Sequence, residues 1–271
     1  MIKAKFNLVD NTFAHDKYSV AGRESKYIEW DRLCINKDLP TFFTHENMYK
    51  NVKNFKNPYG WAFESKSIIP NFYKNIEKDI NRYIKVFTHN QDFIEKYDNC
   101  FWIPGGGIWI GGTYGKGEVK IHTKNKLCSM VSSSKSMCEL HKFRLEIAQT
   151  INPKLVDIFG LTNWVPINET LENYMFSIVI ENYKDDLYFT EKILNCFATG
   201  TIPIYYGAKK IGLKFDLDGI ITFNNKSELI EILNNLNYEF YISKLESIEK
   251  NFNLCHEYTS IEDYIYEKYF K

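Results

Sequence analysis

The stretch Phe176-Ser-Ile-Val-Ile-Glu181-Asn182, continued by Thr190-Glu191-Lys192-Ile-Leu-Asn-Cys-Phe-Ala-Thr199-Gly200 and Ile202-Pro-Ile-Tyr-Tyr206-Gly207, decides the fold. Phe176 to Ile180 is an unbroken apolar, β-rich run, as expected of a strand buried on both faces in a parallel sheet. From Glu191 to Thr199 the apolar residues fall at 193, 194, 197 and 198, a helical spacing. Thr190 is a natural N-cap for that helix, and Gly200 is a natural stop. Ile202 to Tyr206 reads as a second buried strand closed by Gly207. Together they make one strand–helix–strand unit, for which a right-handed crossover is expected.

The same alternation extends outward. Leu155 to Phe159 reads as the preceding strand, and Lys142 to Thr150 as a helix with Phe143, Ile147 and Ala148 on one face. Gly219 to Phe223 reads as a strand, Ser227 to Leu236 as an amphipathic helix, and Ile261 to Phe270 as a terminal helix. This pattern predicts a doubly wound α/β lobe from about residue 120 to 255. In the first half, strands are expected at Lys3 to Val9, Thr41 to Thr44, Tyr59 to Phe63, Tyr83 to Thr88 and Phe101 to Ile103, in a smaller α/β lobe. Between Pro104 and Gly115, glycines cluster at 105, 106, 107, 111, 112 and 115, which reads as a linker. The run fits neither phosphate-loop pattern: no Gly-Lys-Ser/Thr closes it, and Ile110 stands where the third glycine of Gly-x-Gly-x-x-Gly belongs. The expected organisation is therefore a lobe at 1–115, a lobe at 116–255 and a C-terminal helix at 256–271.

Composition narrows the function. The chain has 271 residues, about two domains at roughly 150 residues each. Its 34 basic and 34 acidic residues cancel, which argues against a nucleic-acid partner. No run is long and apolar enough for a membrane span or a signal peptide, which leaves only peripheral membrane contact. The six cysteines (34, 100, 128, 138, 196, 255) form no Cys-x-x-Cys pair, so reduced thiols and a cytoplasmic location are expected. No metal is expected. Asp185-Asp186 only loosely resembles an Asp-x-Asp site, Cys138-x-x-His141 is half a zinc site, and His15, His45, His89, His122 and His256 lack ligand spacing.

The chemistry points to the segment after the first strand. In open α/β sheets, ligands bind beyond the carboxyl ends of the strands, where Glu181 and Asn182 stand. The helix opened by Thr190, Glu191 and Lys192 offers free N–H groups and a partial positive charge, suited to a phosphate. Lys192 opposes that dipole, at a cost of a few tenths of a kcal/mol unless an anion lies nearby.

Phe176…Glu181-Asn182, Tyr188-Phe-Thr-Glu191-Lys192 and Ile202-Pro-Ile-Tyr-Tyr-Gly207 together resemble the donor-binding signature of glycosyltransferase family 10, the α-1,3/4-fucosyltransferases. A weaker resemblance runs from about Lys126 to Phe223 and includes the Ser-rich stretch Ser129 to Lys135 and the helix bearing Arg144. It implies a GT-B fold, two Rossmann-like lobes with the active site in the cleft between them. It also implies inverting transfer of L-fucose from GDP-fucose to a hydroxyl of a glycan acceptor, with no tightly bound cofactor. By the same resemblance, Arg144 and Lys192 hold the pyrophosphate, Tyr188 lines that pocket, Glu191 holds the ribose hydroxyls, and Glu181 and Asn182 support them. An inverting transfer needs one general base. Tyr59-Gly-Trp-Ala-Phe63-Glu64-Ser65 resembles the family's base segment and points to Glu64; Phe42-Phe-Thr-His-Glu46-Asn47 offers Glu46 as the alternative. Two other readings stay open: a same-fold transferase using another nucleotide sugar, and a sugar-nucleotide or glycan binder that has lost its base.

Overall fold

A computed structural model describes residues 2–11, 22–50 and 52–271. The chain divides into two compact units, Met1–Gly107 with Tyr258–Lys271, and Ile108–Glu257.

The first unit carries an all-parallel sheet of β1 (Ala4–Val9), β2 (Ile28–Asp31), β3 (Pro40–Thr44), β4 (Asn57–Ala62), β5 (Lys85–Thr88) and β6 (Cys100–Trp102), in the order β2-β1-β3-β4-β5-β6. Helices α1 (Pro70–Ile76) and α2 (Gln91–Lys96) connect its later strands. Phe43, Met48, Phe72, Tyr73, Ile76, Ile80 and Val86 fill one core. Aromatic rings cover the rest: Phe42 stacks on Phe6 and Phe87 at 5.9 and 5.7 Å between centroids. The C-terminal helix, Ile261–Tyr269, belongs to this unit. Asp263 in its first turn accepts the Ser25 hydroxyl at 2.5 Å and the Lys26 N–H at 2.9 Å. Phe270 packs 4.9 Å from Phe6 and 5.1 Å from Tyr59. Of the expected segment 256–271, residues Tyr258–Lys271 group with the first unit.

The second unit carries β7 (Lys126–Val131), β8 (Asp157–Phe159), β9 (Tyr174–Ile180), β10 (Ile202–Tyr206) and β11 (Ile221–Thr222), again all parallel, in the order β11-β10-β9-β7-β8. Around the sheet run α3 (Glu139–Thr150), α4 (Glu191–Thr199), α5 (Lys226–Asn235), α6 (Tyr238–Ile242) and α7 (Leu245–Cys255); the C-terminal helix is α8. Every residue of β9 is buried, as expected of a strand covered on both faces. The chain runs from β7 to β8 on one side, then crosses back to β9 on the other side of β7. That reversal makes the carboxyl ends of β7 and β9 the topological switch point, where open α/β sheets leave a crevice for a ligand.

Two elements differ from what the sequence predicts. Ser129, expected in a Ser-rich turn, lies inside β7, where its hydroxyl donates to Ser177 Oγ at 3.1 Å. The strand expected from Gly219 to Phe223 is shortened to Ile221–Thr222, because a 3-10 turn occupies Leu217–Gly219.

Candidate functional site

Thr190 caps α4 through its hydroxyl, which accepts the Lys192 N–H at 3.4 Å. Gly200 ends α4 in the left-handed region at φ 73, where a side chain would be strained. Glu181, directly after β9, is completely enclosed. Its carboxylate accepts the Thr190 N–H at 2.9 Å, the Thr190 hydroxyl at 2.7 Å and the Lys192 ammonium at 3.3 Å. The ammonium also reaches Thr190 Oγ1 at 3.0 Å and Glu191 Oε1 at 3.1 Å. The cation that opposes the helix dipole is therefore held by two carboxylates. Burial pushes the Glu181 carboxyl up, and Lys192 acts against that shift. Burial pulls the Lys192 ammonium down, but Glu191 and Glu181 together outweigh it and leave the ammonium raised. With 27% of its side chain exposed, Lys192 still faces outward, whereas Glu181 has 0% exposure and acts only through Thr190 and Lys192.

The β7–α3 connection meets this turn from the other side of the switch point. Cys138 Sγ donates to the Asn182 carbonyl at 3.3 Å. Arg144 lies on the buried face of α3 with a long contact to Ser133 Oγ, 3.5 Å. Burial lowers its pKa, opposed by Glu181, Cys138 and Glu191. Among the described residues, its Nε has no hydrogen-bond partner. Tyr188 is buried, its ring edge-on to Tyr183 at 5.8 Å. The structure thus brings Arg144, Glu181, Asn182, Tyr188, Glu191 and Lys192 to one end of one sheet. The arrangement sets two cations, Arg144 and Lys192, and a helix N-terminus beside the carboxylates of Glu181 and Glu191, a setting that suits an anionic ligand.

The two candidate bases sit in the first unit. Glu46 is exposed, in a 3-10 turn that follows β3. Glu64 follows β4, half-buried, with its carboxylate accepting the Ser65 N–H at 2.7 Å. Its backbone is held on both sides. The Glu64 N–H donates to His45 Nε2 at 3.0 Å, and the Tyr73 hydroxyl donates to the Glu64 carbonyl at 2.7 Å. His45 adopts φ 41, a left-handed conformation costly for a non-glycine residue.

Residues 121–243 match the family model described as glycosyltransferase family 10 (fucosyltransferase), C-terminal part. This segment is similar to the C-terminal part of the family 10 glycosyltransferases. An α-(1,3)-fucosyltransferase from Helicobacter pylori is 33% identical over 69 residues, which span 24% of this chain and 14% of that protein. The fold is shared more widely. A crystal structure of an α1,3-fucosyltransferase superposes with a TM-score of 0.59 at 16% identity, over 94% of this chain and 89% of that one. Another, with GDP, gives 0.57 at 16% identity, over 95% and 91%. A mutant of phage T4 BGT in complex with UDP-glucose gives 0.51 at 14% identity, over 98% and 99%. The expected GT-B fold is borne out.

Within the matched segment, the structure adds residues that spacing did not reveal. Lys124 is buried, and its ammonium reaches the carbonyls of Leu171 (3.1 Å), Glu172 (3.1 Å) and Thr199 (2.7 Å) and the Thr201 hydroxyl (3.0 Å). It thereby caps the carboxyl end of the helix whose amino end carries Lys192. Asn195 Oδ1 accepts the N–H groups of Trp109 (2.8 Å) and Ile110 (3.2 Å), fixing the glycine-rich segment to α4. His141, whose spacing to Cys138 suggests only half of a zinc site, lies one turn before Arg144 on the buried face of α3. Among the described residues, no group of three or more His, Cys, Asp and Glu could hold a metal ion; His15 lies outside them. No helix among them is long and apolar enough to cross a membrane.

Proposed function

We propose that this protein is an inverting glycosyltransferase that moves L-fucose from GDP-fucose to a hydroxyl of a glycan acceptor. The observation that carries the reading is the preorganised cluster at the start of α4, in which Glu181 and Glu191 fix the Lys192 ammonium. The leaving group of such a transfer is a nucleoside diphosphate, and cations already in place stabilise its developing charge without reorganisation. Arg144 and Lys192 take the diphosphate oxygens. Glu191 turns its carboxylate to the ribose hydroxyls, Tyr188 shapes the wall of the same pocket, and Glu181 and Asn182 hold the turn. Glu64 accepts the proton of the acceptor hydroxyl as that oxygen attacks the sugar carbon, and the C–O bond to the diphosphate breaks on the opposite face.

The fold neighbours include one described with GDP and one with UDP-glucose, so the fold leaves the nucleotide open. The fucosyl donor is supported by the family 10 match. The six free thiols support a reducing, cytoplasmic setting. A thermal-shift panel of nucleotides tests the donor, because a ligand of the native state raises the melting temperature by mass action. Stabilisation by GDP and not by UDP is expected. Stabilisation by UDP alone would replace the donor, and a protein stabilised by neither would have no such pocket.

A further inference from the structure

His141 stands three residues before Arg144 on α3, so both side chains project from one helical face. Both are buried, with 5% and 6% exposure. Among the described residues, His141 Nδ1 and Arg144 Nε each lack a hydrogen-bond partner. A buried polar atom left unpaired costs about 1–3 kcal/mol. Two of them within one turn, beside the amino end of the nine-residue helix α4, mark a place where a ligand supplies the missing partners.

The charges around the ring are of one sign. Arg144 on its own helix, Lys192 at the start of α4 and Lys135 in the connection before α3 all act on it. The nearby acids, Glu181 and Glu191, are engaged with Lys192 and Arg144. Burial first, and then these three cations, push the imidazole down to about 4, so the ring is neutral in the ligand-free protein at pH 7. A diphosphate diester brings two negative charges against the same cations. Their repulsion of an imidazolium is then offset, and the ring nitrogen faces an acceptor oxygen instead.

We propose that His141 takes up a proton from solvent when the diphosphate of the nucleotide sugar binds, and donates a ring N–H to a phosphate oxygen. The inference rests on the reading of Arg144 and Lys192 as the diphosphate site. His141 makes and breaks no bond to the sugar. In the transfer, the bond from the sugar carbon to the diphosphate oxygen breaks, the bond to the acceptor oxygen forms, and the acceptor proton passes to Glu64. The released nucleoside diphosphate carries more negative charge than the donor did, so it holds the His141 proton more tightly until it leaves.

Calorimetry of GDP-fucose binding, without acceptor, tests this in two buffers of different ionisation heat near pH 7. GDP-fucose is the appropriate probe because a phosphate monoester itself titrates at about pH 6, whereas a diphosphate diester does not. For the wild-type protein, the binding heat is expected to depend on the buffer with the sign of proton uptake, and affinity should weaken as pH rises, by up to about tenfold per pH unit. His141→Gln, which keeps an N–H donor, should bind with a buffer-independent heat and a flat pH profile; His141→Asn serves as a second variant. Wild-type binding without proton uptake would overturn the inference, as would uptake that persists in either variant. If wild-type protein does not bind GDP-fucose, or if Lys192→Ala binds it equally well, the diphosphate site itself is misassigned and the inference falls with it.

Discussion

His45 Nε2 accepts the backbone N–H of Glu64 at 3.0 Å, joining the carboxyl ends of the adjacent strands β3 and β4. The acceptor role requires a neutral ring, and burial holds the His45 pKa down to about 3. His89 Nε2 lies 3.1 Å from the Glu64 carbonyl and 3.2 Å from the Tyr73 hydroxyl. Its pKa is lowered to about 4, again by burial. Buried, uncharged side chains therefore fix the Glu64 backbone and leave its carboxylate partly open.

The first prediction concerns that carboxylate. Glu64→Gln should lower kcat by about 10²–10⁴, the usual contribution of a general base, with KM for the donor unchanged. Glu46→Gln should keep nearly full transfer, since its side chain is exposed on a turn. Steady-state kinetics of the two variants decide the assignment; the opposite ranking would move the base to Glu46.

The second concerns the donor cluster. On the proposed reading, Lys192→Ala removes a charged donor to the diphosphate, and such bonds contribute about 1.5–3 kcal/mol, so GDP affinity should fall roughly 10- to 100-fold. Glu181→Ala should behave differently. It leaves the Thr190 cap and the Lys192 ammonium without their buried partner, so the melting temperature should drop together with affinity. Titration calorimetry combined with thermal melts separates the two effects.

A third prediction is purely structural. Lys124→Met leaves the carbonyls of Leu171, Glu172 and Thr199 without their buried donor. Leu171 keeps the Tyr174 N–H and the Thr201 hydroxyl, and Thr199 keeps the His122 N–H, so the main loss falls on the Glu172 carbonyl; one unsatisfied acceptor costs about 1–3 kcal/mol, seen as a melting point lower by roughly 2–12 °C. An unchanged melt would mean that water or a rearranged chain satisfies these carbonyls.

The fourth follows from the buried histidines. His45 and His89 have folded-state pKa values of about 3 and about 4, below the value of about 6.5 in the unfolded chain. Between these limits the unfolded state binds more protons than the folded state, so stability rises with pH there. Their full contribution is present above about pH 6.5 and is lost progressively as pH falls toward 4. Denaturant unfolding from pH 7 to pH 4.5 should show this decline, and His89→Phe should flatten it. Burial raises the Glu262 carboxyl to about 7, which acts in the opposite sense over the same interval, so the comparison of the two proteins is decisive: a His89→Phe variant with the pH dependence of the wild type would contradict the neutral-histidine arrangement.

A fifth tests the glycine-rich segment. A Cβ on Gly115 would lie 2.1 Å from the Trp109 carbonyl oxygen and 2.6 Å from the Ile110 nitrogen, both backbone atoms that cannot swing aside. Gly115→Ala should therefore disturb the turn that Asn195 anchors and lower the melting point. Accommodation without loss would show that this turn is softer than its contacts imply.

Part of this protein was legible in one dimension. The strand–helix–strand unit around β9, α4 and β10 could be read because a continuous apolar run, a helical spacing, a Thr cap and a Gly stop are all local signals. The same stretch carried the family resemblance and hence the candidate donor residues. Other elements escaped because their signals are short or masked. Ile28–Asp31 is only four residues long, and β7 hides its buried character behind Ser129, whose hydroxyl is satisfied by Ser177 on the neighbouring strand. Tertiary structure alone decided what Lys192 touches. Ion pairs with Glu181 eleven residues away, and the meeting of α3 with the β9–α4 turn, depend on the strand order β10-β9-β7-β8, which no periodicity encodes. The same holds for the return of α8 to the first sheet and for the burial that separates Glu64 from Glu46. Long-range packing sets solvent exposure and partner distance, and these determine whether a charged side chain is a strut, a ligand holder or a surface residue.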